Sequence, residues 1–93
     1  MAGEFQVEPV AEHEYVVRAE VGLEIVESRF RVDPAVLQQL GVGEADEQRV
    51  VEQSAIYLAR QQPVADFPGM VDVEDLVVRY DDYPEQLRRM LSS

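Results

Sequence analysis

From Glu14 to Val21 apolar and polar side chains alternate, with Tyr15, Val17, Ala19 and Val21 on one side and Glu14, Arg18 and Glu20 on the other. That is the two-residue period of a strand with one wet face. Val26, Phe30 and Val32 repeat the pattern against Glu27, Arg29 and Arg31, and Gly22 separates the two runs. An antiparallel hairpin is the simplest connection. Leu23 and Ile25 fall out of phase with Val26, so a bulge or a loop longer than two residues is expected there. Phe5 and Val7 alternate with Gln6 and Glu8, which offers a third, leading strand ending at Pro9.

Beyond Asp33 the period lengthens. Asp33-Pro34 is a helix-start signal, because Asp accepts from free first-turn amides and Pro at the first position wastes no hydrogen bond. A short helix over 34–40 follows, with Val36, Leu37 and Leu40 apolar and Gly41 as its stop. The main helix is predicted over 46–62, where Val50, Val51, Ser54, Ala55, Tyr57 and Leu58 make one stripe. Glu44, Asp46 and Glu47 at its start and Arg60 at its end match the macrodipole. Pro63 ends it, and 64–69 reads as a turn-rich link. Val73, Leu76, Val77 and Tyr80 at helical spacing predict a helix over 73–81, with a strand over Val73–Tyr80 as the rival because Val77 and Val78 are β-branched. A last helix over 84–91 carries Leu87, Met90 and Leu91. Strands first and helices after predict an α+β fold: an N-terminal antiparallel hairpin, or three strands, packed on the main helix.

Ninety-three residues fit one small domain spanning 1–93, and 46% hydrophobic content is enough for a core. A chain of this size buries only about 60–65% of its unfolded surface, so a partner subunit would add stability. The net charge is −11, and all eight basic residues are Arg. Neither half of the chain offers the basic face that phosphate binding requires, so nucleic acid and anionic membrane surfaces are not expected partners. The acidity favours basic partners or cations. Without Cys there is no disulfide framework, thiolate nucleophile or Cys-based metal site. No apolar run approaches the ~20 residues of a membrane span. Met1–Glu4 carries neither the basic region nor the apolar stretch of a secretory leader, and the cytoplasm is the expected compartment.

The succession Phe30-Arg31-Val32-Asp33-Pro34, then Leu37 with Leu40-Gly41, then Val50-Val51-Glu52-Gln53-Ser54 resembles a family of small uncharacterised bacterial proteins. In that family a hairpin precedes a helix and a longer helix ends in a Phe-Leu-Leu-x-Arg-Glu-Pro run, which aligns with Tyr57 through Pro63. A Tyr-Phe-Pro-Glu-Tyr ending aligns loosely with Tyr80 through Glu85. The chain departs at Gln62, where the family has Glu, and at Ala55-Ile56, where aromatics are usual. The resemblance covers about two-thirds of the chain; it implies a fold and brings no activity with it.

Candidate chemistry is sparse. His13 lies between Glu12 and Glu14, but in an extended chain both acids point away from the imidazole, and no second His completes a metal set. A solvated strand-edge histidine is expected. Asp72, Glu74, Asp75, Asp81, Asp82 and Glu85 form the densest acidic run; the spacing of a calcium loop is missing, and helix capping accounts for most of them, with weak cation binding as the alternative. No nucleophile elbow, phosphate loop or dinucleotide fingerprint occurs, so no enzyme, catalytic residue, metal or cofactor is expected. Ile56 lies opposite the main helix's apolar stripe with Ala59 nearby, and Phe67 and Met70 sit in the following link. These four are the candidate interface residues, although single exposed apolar side chains are ordinary and Phe67 and Met70 fit a core equally well. The functional expectation is a non-catalytic interaction or regulatory module that self-associates or binds another protein. Its alternative is an acidic mimic or neutralising protein that binds a basic protein partner.

Overall fold

The computed structural model describes residues 5–92. The chain runs β1 (Gln6–Ala11), β2 (Glu14–Val21), β3 (Glu24–Arg31), α1 (Pro34–Gln39), α2 (Glu47–Gln61), a 3-10 turn (Val64–Asp66), β4 (Met70–Asp72), α3 (Val73–Arg79) and α4 (Tyr83–Ser92). The sheet order is β1-β2-β3-β4, antiparallel throughout except for the parallel pair β3–β4. The fold is α+β. The helices gather on one face of the sheet, with α2 against β1 and β2 and α4 against α2.

Three aspartates begin three of the helices. The side chain of Asp33 accepts from Ala35 N (2.9 Å), Asp46 from Gln48 N (3.0 Å) and Asp72 from Glu74 N (3.0 Å). Each satisfies an amide that the helix itself leaves unpaired. The predicted helices at 34–40, 46–62, 73–81 and 84–91 all form within two residues of those bounds. The strand reading of Val73–Tyr80 does not hold, because Asp72 caps a helix there.

The sheet differs from expectation in three ways. It has a fourth strand, β4, where the sequence predicts a turn-rich link; three residues are too few to show a period. Val21 pairs with Glu24, so the β2–β3 loop is two residues, Gly22 and Leu23, with neither bulge nor extension. Gly22 has φ +64, which a tight hairpin turn demands at its first loop position and glycine supplies without steric cost. Finally, β1 continues through Pro9 to Ala11, with a register shift between Pro9 and Ala11. Proline is tolerated there because β1 is an edge strand and the shift is a bulge.

Phe30, Val32, Val50, Val51, Ala55, Val73, Tyr83 and Leu87 form the centre of one buried cluster. Two polar groups inside are satisfied by each other: Ser54 Oγ lies 2.7 Å from the Tyr83 hydroxyl. Tyr83 meets Tyr57 edge-on at 5.2 Å, and the Tyr57 hydroxyl donates to Asp82 at 2.5 Å. Burial pushes the Tyr83 phenol up to about 12, and it raises Tyr57 as well, reinforced by the Asp82 carboxylate. Among the described residues every buried side-chain polar atom has a partner.

The sheet's outer face carries no helix. Arg18 spans Glu8 (2.7 Å) and Glu27, while Glu14 takes both Arg29 (3.6 Å) and Arg31 (3.3 Å). Val16 lies buried among these cross-strand pairs. Most charge on this face is therefore matched locally.

Candidate functional site

Pro63 stops α2, and the chain returns to the sheet through Pro68-Gly69. Two bonds pin the return: Ser28 Oγ donates to Pro68 O (2.5 Å) and Arg29 N donates to Gly69 O (2.9 Å). β4 then leads directly into α3. Between the end of α2, β4 and α3 the chain leaves a groove of about 410 Å³. Buried Leu58, Val71 and Leu76 supply its apolar base, and exposed Met70 (45%) and Val78 (79%) its apolar rim. Asp72, Asp75 and Arg79 add two negative charges and one positive.

Of the four predicted interface residues, only Met70 lines this groove. Phe67 is half-buried, its ring stacked on Phe5 at 6.3 Å. Ile56 and Ala59 are half-buried on α2 and are not among the lining residues. Val78 is the exposed apolar residue of the lining that sequence reasoning misses. It stands outside the Val73/Leu76/Val77/Tyr80 stripe, and that displacement is the one signal the sequence offers. Leu23 and Ile25 are also exposed, at the tip of the β2–β3 hairpin.

His13 requires a correction. It occupies the β1–β2 turn with φ +60, and its Nδ1 lies 2.7 Å from Glu47 Oε2. The Tyr15 hydroxyl donates to the other oxygen of Glu47 at 3.1 Å. Burial, and then the Glu47 carboxylate, push the Tyr15 phenol up to about 12. Glu12 is 3.4 Å from His13 Nε2, so a turn, unlike a strand, brings an adjacent acid to the imidazole. The constellation ties the turn to the first turn of α2. Among the described residues no group of three or more His, Cys, Asp or Glu side chains is placed to hold a metal ion.

The acidic run is divided by role. Asp72 caps α3, Asp82 accepts from Tyr57, and Glu85 pairs with Arg89 at 2.8 Å. A second, wider depression of about 770 Å³ lies between the α1–α2 loop and α4. Arg88 on its wall donates to Leu40 O at 2.9 Å, so that guanidinium already joins α4 to the end of α1. No described helix is long and apolar enough to cross a membrane. No family model, curated protein or solved structure matches the chain.

Proposed function

We propose that this chain is a non-catalytic interaction module whose partner is a basic protein, engaged at the α3 end of the molecule. One observation supports the reading above others: Met70 and Val78 expose apolar surface within a sequence neighbourhood that includes Asp72, Glu74 and Asp75. Apolar surface rimmed by charge is the make-up of a protein contact. A second copy is a poorer fit to this rim, because two chains of charge −11 repel each other. Self-association is the second reading, favoured at a different place, the exposed Leu23 and Ile25 of the hairpin tip.

The test is co-purification of the tagged chain from its own cells, with Val78→Asp alongside. A basic protein retained by the unaltered chain, released as salt rises and missing with Val78→Asp is the expected result. A partner held equally by both chains, or without regard to salt, overturns the reading. Sedimentation of Leu23→Asp decides the second reading: a dimer that this change dissociates supports it, and a monomer at every concentration removes it.

A further inference from the structure

β4 ends the sheet order, so no strand of the chain lies beyond it among the described residues. Arg29 N donates to Gly69 O, and in a parallel pair alternate residues turn their backbone groups to the neighbour. Gly69 and Val71 therefore face β3, and Met70 turns its N–H and C=O outward, beside the groove. An unpaired strand edge next to a groove between strand and helix is the setting for strand addition, in which backbone bonds hold the ligand and pockets read alternate side chains.

Resting on the basic-partner reading above, we propose that the groove takes an extended segment of the partner, added as a fifth strand along β4. An apolar side chain of that segment would enter over Leu58 and Leu76, and flanking Arg or Lys would meet Asp75. Three features together define this occupant. The outward backbone of Met70 calls for an extended peptide and not a helix. The apolar base calls for an aliphatic side chain. The lining acids outnumber Arg79 by two to one, and the chain as a whole is strongly acidic, which calls for positive charge beside it. β4 is only three residues long, so few backbone bonds can form and binding should be weak and reversible.

An acetylated, amidated peptide Arg-Val-Arg-Leu-Arg-Val, titrated into the isotopically labelled full chain and followed by NMR, tests the assignment. The amides of Met70 and Asp72 and the methyls of Leu58 and Leu76 should shift together. Val78→Asp should weaken binding at least tenfold, and Asp75→Asn several-fold with a flatter salt dependence. The same peptide N-methylated at alternate residues, so that it cannot pair with a strand, should not bind. Equal binding of the N-methylated peptide, shifts confined to α4 or the hairpin tip, or no shifts at millimolar peptide would each overturn strand addition. Concentration-dependent shifts of Met70 and Asp72 without peptide would overturn it too, in favour of a second copy at this edge. If the peptide fails while a salt-sensitive basic protein is still captured and lost with Val78→Asp, the strand mode alone falls. If no such protein is captured either, the functional reading falls with it.

Discussion

His13 Nδ1 and Glu47 Oε2 lie 2.7 Å apart across 34 residues of chain, joining the β1–β2 turn to the start of α2. Glu47 accepts from Tyr15 as well, so one carboxylate at a helix N-terminus, where negative charge is favoured, collects two contacts from the sheet. Replacing Glu47 with Ala strands both partners. The site is half-exposed, so a loss of about 1–2 kcal/mol is expected in urea unfolding, with an unchanged m-value. A loss near zero would mean that water replaces the carboxylate without penalty.

Ser54 and Tyr83 form a closed pair in the core. Ser54→Ala or Tyr83→Phe alone leaves a buried hydroxyl without a partner and should cost about 1–3 kcal/mol. The double variant removes both polar groups and should cost less than the two single losses combined. A double-mutant cycle measures that coupling, and strict additivity would contradict it.

The tyrosines set an alkaline limit. Tyr15 and Tyr83 are both raised to about 12 from an ordinary 10, and each is neutral when folded. The unfolded chain gives up these protons first, so their contribution is intact below pH 10 and is lost as the pH climbs from 10 to 12. For the buried Tyr83 the loss is about 2–3 kcal/mol. Stability measured against pH should fall across that window, and Tyr83→Phe should make the fall shallower.

Most of the helical half is legible in the sequence, because its signals are local. Asp33-Pro34, Asp46 and Asp72 each act on an amide two residues away, and the α2 stripe needs only its own spacing. β4 is not legible: Arg29 pairs with Met70 from 41 residues away, and a three-residue parallel strand has no pattern of its own. The out-of-phase Leu23 and Ile25 do carry information, but a tight turn with glycine first produces the same slip as a bulge. The bulge lies instead in β1, next to Pro9. At the candidate site, Met70 is within reach of pattern reasoning. The groove is not, since α2, β4 and α3 meet only in the folded chain.

The caps provide a local test. Asp46→Ala should cost about 1 kcal/mol through the orphaned Gln48 amide, without altering the fold. Leu23→Asp, at a fully exposed loop position, should stay within about 0.5 kcal/mol of the unaltered chain. Thermal unfolding of both variants checks this ordering, and a larger loss for Leu23→Asp would place that side chain in a contact.

Pro9 and the neighbouring irregularity give β1 a broken outer margin, because a proline has no N–H to donate and a bulge spoils the spacing of what remains. The two margins of the sheet are thus unequal. A head-to-tail stack of copies would need β4 of one molecule to pair with β1 of the next, and the proline and the bulge stand against that junction.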